Sequence, residues 1–413
     1  MQLNDTVAIA YSGTGMSPVQ RKRILFVHQN FPGQFVHLAP ALQARGHEVV
    51  ALTSDAHRHQ TTVPMAHYKW QAREFDNETF RLATKFAEMT WRGEIAARSA
   101  TTLRDKHNFT PDIVFGTPGW GETLFLRDVW PEAKQLLYAE FFYGPHGPMV
   151  GFDREFDNRD LAANMMLTSN QAHQLVSVHS SDKLLCPTPW QARSFPAFSQ
   201  DRISVIHDGI ATDQIFPKDD ASVTLPGLGL TFKRGDELLT FVNRNHEPAR
   251  GFHIFMRALP AVLRARPNAH VVIIGGDERS YSPLPAVGVT WREVLMREVG
   301  GALDMKRVHF PGKIPYQTFV QLMQVSRVHA YLTYPFVLSW SLLEAMSAGA
   351  LVVASRTPPV EEVIRDGVNG RLLDFFDVAA WSEMLVDTLA NHRAYDPLRI
   401  EARRTVEIGR AHV

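Results

Sequence analysis

The sequence predicts an α/β protein: two Rossmann-like, doubly wound parallel-sheet domains facing a cleft. Three observations carry that reading. Short apolar runs alternate with runs that repeat at helical spacing. The alternation starts twice, 215 residues apart. The two starts also share letters, Phe26-Val27-His28-Gln29-Asn30 against Phe241-Val242-Asn243-Arg244-Asn245. Continuously apolar strands joined through helices mean parallel sheets covered on both faces.

The first unit opens with the apolar run Arg23 to Gln29, read as a strand. Residues 30–34 make a turn carrying Gly33. Phe35 to Gly46 has apolar residues at helical spacing and ends on glycine, and His47 to Thr53 is the next strand. The second unit repeats this: strand Leu238 to Asn245, a turn with Gly251, helix Phe252 to Pro267, strand His270 to Gly276. Further strands are read at 112–116, 135–142 and 183–187 in the first half, and at 307–312, 330–334 and 351–355 in the second. A helix is read over 378–392. Residues 208–237 are rich in Asp, Gly, Pro and Lys without periodicity and are read as a linker. The resulting division is an extension at 1–21, a first domain at 22–207, the linker, a second domain at 238–390, and a helical crossover at 391–413. Residues 408–413 spell the translation of a widely used sequencing-adapter string. The reading therefore expects a foreign tail and a truncated closing helix.

Composition removes several function classes. Lys plus Arg and Asp plus Glu both total 43, so no overall basic field exists to hold nucleic acid. The single cysteine, Cys186, can form neither an internal disulfide nor a thiolate cluster, which points to a reducing compartment. Read as an inert core thiol, it has no catalytic role. No apolar run reaches 18 residues, so no transmembrane helix is expected. A cytoplasmic location follows, with peripheral contact at the inner membrane face left open, since Arg21-Lys22-Arg23 is too small a cluster to establish it.

Some residues point to chemistry by themselves. Arg244 and Arg250 flank the turn after the second unit's first strand. Guanidinium groups suit phosphate oxygens, Gly251 allows close backbone approach, and the helix begun at Phe252 offers its positive end. A solvated turn with two surface arginines explains the pattern equally well. Glu344, near the start of a helix, can accept ribose hydroxyls or merely complement the helix dipole. Asp153, Asp157 and Asp160 lack the spacing of a calcium loop and read as a solvated helical face, so no metal is expected. Neither strand-to-helix turn has G-x-G-x-x-G, which removes a nicotinamide cofactor.

The segments Val242 to Asp277, Val308 to Ser355 and Glu361 to Gly370, with Leu38 to Thr53 and Val205 to Ile210, occur together at their spacing. In this the chain resembles the retaining, nucleotide-sugar-dependent glycosyltransferases of family 4, which have the GT-B fold. The resemblance covers roughly residues 23 to 400. It implies that Arg244 and Arg250 bind the donor diphosphate and that Glu344, the second glutamate of an E-x7-E motif, holds the ribose. It also implies base recognition at the backbone of Gly312, Lys313 and Ile314, and diphosphate contact by the amides of Ser339, Trp340 and Ser341. Gly33 falls in the loop that closes over the donor phosphates. Two positions depart from the pattern: Phe336 replaces the first glutamate, and Thr117 stands where a histidine is often found beside the anomeric carbon. Near Thr117, Glu122 is a candidate polar contact to sugar or acceptor and Trp120 a stacking platform. His146 is a further candidate for the chemistry, and Phe142 and Tyr143 line an acceptor pocket or end a buried strand.

The implied activity moves a sugar from a UDP- or GDP-sugar to a saccharide or lipid-linked acceptor, with no further cofactor. The competing expectation, motivated by Phe336 and Thr117, is a nucleotide-sugar-binding protein without transfer activity.

Overall fold

The structure, a computed structural model, describes residues 20–56, 59–75, 81–157 and 159–411. The extension read at 1–21 lies outside them except for Gln20 and Arg21, and the tail lies outside them from His412.

β1 (Arg23–Val27) leads through one 3-10 turn to α1 (Leu38–Ala44) and β2 (Glu48–Ser54). Next come β3 (Met65–Tyr68), the long α2 (Thr84–His107), β4 (Ile113–Gly116), α3 (Leu126–Val129) and β5 (Lys134–Tyr138). α4 (Leu161–Ser169), α5 (Ala172–Ser180), β6 (Lys183–Cys186), α6 (Pro189–Ala192) and β7 (Ile203–Val205) complete the first half. These strands form a seven-stranded sheet in the order β3-β2-β1-β4-β5-β6-β7. The ladders β1–β2, β1–β4, β2–β3, β4–β5 and β6–β7 are parallel.

The second half starts with an antiparallel pair, β8 (Ser222–Thr224) and β9 (Thr231–Lys233). β10 (Leu238–Asn245), α7 (Phe252–Ala265), β11 (His270–Gly276), α8 (Trp291–Val299), β12 (Val308–Gly312), α9 (Tyr316–Val325) and β13 (Val328–Tyr331) follow. α10 (Trp340–Ala348), β14 (Leu351–Ser355), α11 (Pro358–Glu361), β15 (Arg371–Leu373), α12 (Val378–Ala390) and α13 (Asp396–Ala411) end the chain. The six-stranded sheet runs β12-β11-β10-β13-β14-β15, parallel throughout. In each sheet the order reverses beside its first strand, between β1 and β4 and between β10 and β13. Such switch points are where open α/β sheets leave a crevice at their carboxyl edge.

Two compact units result: residues up to 138 with 172–183, and residues 139–171 with 184 onward. This differs from the division at 208 read from the sequence. The stretch read as a linker is also ordered and packed. Val223 and Phe232 of the β8–β9 pair, and Leu225 just after β8, are buried in the second unit's core with Ile210 and Ile215. Its apolar residues are too few and too scattered to show a period, yet most of them enter the core, Phe216 and Leu228 staying exposed.

Alternation along the second sheet feeds two cores. Leu239, Phe241, Val271 and Ile273 face α7, α8 and α12. Leu238, Val272, Ile274 and Val352 face α9, α10 and α13. α13 packs on α10, burying Ala402 and Val406, while Arg403 donates to the Thr212 carbonyl at 2.8 Å and the Ser347 carbonyl at 2.9 Å. Ile408, on its last turns, is 48% exposed. In the first unit, α2 buries Met89, Arg92, Gly93, Ala96, Ala100 and Leu103. Small residues and an arginine make a weak helical stripe, which is why the sequence reading passed over this longest helix.

Gly251 holds the site's backbone in place. Its φ is +68°, and a Cβ there would stand 2.2 Å from Leu332 Cβ. Gly251→Ala is expected to destabilise the protein by about 1–3 kcal/mol through the left-handed conformation alone, with the clash adding to it. A thermal melt checks this, and an unchanged midpoint contradicts the turn geometry.

Candidate functional site

The second unit's switch point is built from the turn between β10 and α7. Glu247 is extended, Pro248 to Arg250 make a 3-10 turn, and Gly251 releases the chain into α7. Arg250 is only 7% exposed. Its Nη1 donates to Thr333 Oγ1 at 2.8 Å and to the Val337 carbonyl at 3.1 Å, both beyond β13. The side chain thus spans the reversal in strand order. Its guanidinium carbon lies 5.1 Å from the Tyr281 ring centre and 5.2 Å from that of Phe336, within range for cation–π attraction. Arg244, by contrast, is exposed, and no ion pair among the described residues holds it.

Two residues here escaped the sequence reading. Glu247, 2% exposed, accepts from the amides of Tyr281 at 2.8 Å and Ser282 at 2.7 Å through Oε2. Burial pushes its carboxyl above the usual range, opposed by those amides and by Arg250 and Arg244. Glu247 thereby fastens the loop whose Tyr281 covers Arg250. Nothing periodic marks either position.

Glu344 is 7% exposed, and Oε1 accepts from Tyr316 Oη at 2.5 Å. Burial raises its pKa, against the opposing hydrogen bond. The helix start differs from the implied use of three amides. Ser339 N–H donates to Tyr331 Oη at 2.9 Å, and Ser341 N–H to Ser339 Oγ at 3.3 Å. Trp340, as the first helical residue, keeps an amide without an intrahelical acceptor, while its ring Nε1 donates to Asp208 at 2.8 Å. Gly312 ends β12 with φ +74°, Lys313 Nζ pairs with Glu278 at 2.5 Å, and Ile314 packs against the core. Phe336 is 2% exposed and buried among Phe141, Tyr143 and Tyr281, at ring-centre distances of 5.2, 5.6 and 4.6 Å.

In the first unit, Gly33 has φ +48°, and a Cβ on it would lie 2.6 Å from the His28 ring. Beyond β4, Glu122 is 1% exposed. It accepts from Tyr68 Oη at 2.8 Å and lies 3.9 Å from Arg92, which also donates to Gln29 at 2.5 Å and covers the Trp70 ring. Burial raises its pKa, Arg92 and Tyr68 opposing. A side chain so enclosed offers no face to a sugar, which corrects the contact expected of it. Trp120 is 43% exposed and keeps a face for stacking, and Thr117 is buried.

The remaining candidates separate. His146 is exposed. Phe142 is buried, its N–H donating to Ser194 Oγ at 3.1 Å, and Tyr143 is partly buried against Phe141 and Phe336. Asp153 is not on a solvated face as expected. It is 5% exposed, accepts from Tyr334 Oη at 2.6 Å and lies 3.1 Å from His253 Nε2. Asp153, Glu155 and His253 are close enough to surround a cation, but Arg257 already holds Glu155 with two hydrogen bonds. Asp157 pairs with Arg159, and Asp160 caps α4. Cys186 is buried, which raises its thiol to about 12 and leaves it protonated.

Residues 45–215 match the glycosyl transferase family 4 group, and residues 236–391 match the glycosyl transferases group 1. The chain belongs to this glycosyltransferase family. D-inositol 3-phosphate glycosyltransferase of Mycolicibacterium vanbaalenii is 29% identical over 251 residues, 60% of this chain and 50% of that one. The Mycolicibacterium smegmatis protein of the same name is 28% identical, over 59% and 49%. The chain spans about half the length of these curated relatives. Among solved structures, sucrose-phosphate synthase of Thermosynechococcus elongatus superposes with a TM-score of 0.69 at 15% identity, covering 94% of each chain. Anabaena HepE in complex with UDP and glucose gives 0.65 at 13% identity, over 94% and 95%. The fold is therefore GT-B, as the family reading expects. Among the described residues no helix is long and apolar enough to cross a membrane.

The two arginines now part in their expected behaviour. Arg250→Ala removes a buried, hydrogen-bonded charge and should cost about 1.5–3 kcal/mol of stability. The exposed Arg244→Ala should stay within about 0.5 kcal/mol of the parent. Paired chemical denaturation curves test this, and equal stabilities would contradict the burial of Arg250.

Proposed function

We propose that the chain transfers a glycosyl group from a UDP- or GDP-sugar to a hydroxyl of a saccharide or lipid-linked acceptor, with retention of anomeric configuration. One observation carries this reading. At the carboxyl edge of the second sheet, the end of β10 supplies Arg244, the turn after it supplies Arg250, and the helix after β13 supplies the buried Glu344. A nucleoside diphosphate needs those groups: cations for its phosphates and a carboxylate for its ribose hydroxyls. Complexes of HepE with UDP and with UDP-glucose support a uridine donor.

In this mechanism the exposed Arg244 reaches the diphosphate directly. Arg250 adds fixed positive charge, its orientation locked before the donor arrives. Both stabilise negative charge as it develops on the leaving diphosphate. The bond between anomeric carbon and phosphate oxygen breaks, the acceptor oxygen bonds to the same face, and the departing phosphate takes the acceptor's proton. No protein base is required, which accommodates Thr117 in place of a histidine. The alternative, donor binding without transfer, draws on Phe336. Packed inside an aromatic cluster, it gives the sugar no carboxylate.

Arg244→Ala should raise the barrier by about 2–4 kcal/mol, the usual effect of removing a charge-stabilising donor. The direct experiment supplies UDP-glucose or GDP-mannose with and without saccharide acceptors and follows nucleoside diphosphate release. Acceptor-dependent release with an α-linked product from an α-linked donor supports transfer. Donor binding without acceptor-dependent release supports the alternative.

Glu344 adds a pH dependence. Burial raises its pKa, so acidification neutralises it earlier than an ordinary glutamate. Ribose hydroxyls donate to the anion, so UDP affinity should fall as pH drops through the window above the usual glutamate range. Glu344→Gln should weaken binding at neutral pH and remove that component, leaving only the phosphate's own titration. Calorimetry with UDP at several pH values checks it; identical profiles for both proteins would defeat the ribose assignment.

A further inference from the structure

A second cationic site lies at the amino edge of the six-stranded sheet, the end away from Arg244. Gly235 precedes β10, Ser326 and Arg327 precede β13, and Gly349 precedes β14. Together with the chain between α12 and α13 they enclose a cavity of about 200 Å³. Arg234, Arg327, Arg393 and Arg399 line it with His392, and Asp396 is the only acidic lining residue.

The existing contacts leave this charge largely uncompensated. Asp396 accepts from Arg399 Nη1 at 2.8 Å. Arg327 donates to the carbonyls of Leu389 and Asp236, each at 3.1 Å, and to that of Gly235. Carbonyls satisfy donors without cancelling charge. Arg399 Nη2 donates to the Arg327 carbonyl at 2.8 Å, but its Nε is buried without a partner. Arg393 is exposed and forms no ion pair among the described residues. Among the described residues Arg234 has only Asp219 as an acidic partner, at 3.7 Å, and that carboxylate stands fully in solvent. Nearby Glu237 is held by Arg266. His392 feels the crowding: burial first, then Arg327 and Arg399, lowers its pKa, while burial lowers that of Arg327 against the opposing Glu237 carboxylate.

Like charges gathered around a cavity repel one another, and an anion with several acceptor oxygens reverses that balance. Phosphate matches guanidinium forks in both charge and geometry. At about 200 Å³ the cavity is below the roughly 300–1,000 Å³ of pockets for drug-sized ligands, so the occupant is small. We propose that this pocket binds a phosphate group, as orthophosphate or as a monoester of a small metabolite, at a site separate from the strand end that carries Arg244. Because Arg327 and Arg399 tie together the chain preceding β10 and β13, the occupant would brace the starts of both central strands.

The test titrates the intact protein with inorganic phosphate, and separately with glucose 6-phosphate, in calorimetry at constant ionic strength set by chloride. Parent and Arg244→Ala protein should bind at least one of the two saturably and alike. Arg393→Ala should bind that ligand about tenfold or more weakly, and Arg393→Lys should recover part of the loss. Arg234→Gln, on another wall, should weaken it independently. Arg393 is on the surface, so its variants should melt like the parent. Tighter binding of the monoester identifies an esterified phosphate as the natural occupant, and equal or tighter binding of orthophosphate identifies the free ion. Absence of saturable binding by both ligands overturns the proposal. So does parent-like affinity in Arg393→Ala, or a loss of binding confined to Arg244→Ala.

Discussion

The second unit depends on a charge that it buries. Arg250 joins the two strands between which the sheet reverses, by bonding from the β10 side to Thr333 and Val337 on the β13 side. Withdrawing a guanidinium from water is costly unless its donors are satisfied and its charge is balanced. The surroundings meet each need in part. A hydroxyl and a carbonyl take one terminal nitrogen, the ring faces of Tyr281 and Phe336 lie nearby, and the Glu247 carboxylate acts at longer range. Glu247 in turn holds the loop that carries Tyr281. Each group therefore fixes the next, and the orientation of Arg250 is set by the fold itself.

That network gives Phe336 a physical meaning. The family pattern has a carboxylate at this position, and a carboxylate beside Arg250 would pair with it and neutralise it. The ring cannot. It contributes the negative face of its quadrupole, which attracts the cation weakly and leaves its formal charge intact. Arg250 consequently keeps more of its field than a salt-bridged arginine would.

How much of this could be read in the letters follows from what each residue depends on. β1, β2, β10, β11 and β14 each hold a mostly apolar, largely buried stretch, and their positions were evident. β3, β7 and β15 are too short for any period to show. The site divides the same way. Arg244, Arg250, Gly251 and Glu344 are carried by a motif with spacing of its own. Glu247, Tyr281 and Tyr316 act only because the fold brings separate segments together, and no local signal marks them. Glu122 shows the converse error. Its place in Thr117-Pro-Gly-Trp-Gly-Glu122 looked like a ligand contact, but Tyr68 and Arg92 enclose it, and both come from elements distant in the sequence.

Zero net charge also hides the arrangement that matters. Acidic and basic residues balance across the whole chain, yet they are not mixed evenly within the second unit. Many arginines there serve ordinary pairs, such as Arg257 with Glu155 and Glu298, or Arg371 with Asp366. Others are left with unbalanced charge at the two edges of one sheet. At the carboxyl edge these are Arg244 and Arg250, beside a turn that presents a helix start. At the amino edge they are Arg234, Arg327 and Arg393, beside strand starts that have no helix amino terminus from the same connections. The parallel sheet explains the difference. Its strand ends lead into helix starts at the carboxyl edge, so backbone amides assist cations there. At the amino edge helices arrive by their carbonyl ends, which attract cations and oppose anions. Arg327 spends one donor on such a carbonyl, that of Leu389 in the last turn of α12, while its others and one of Arg399 go to carbonyls just before β10 and β13, and the side chains left over turn that edge toward an anion.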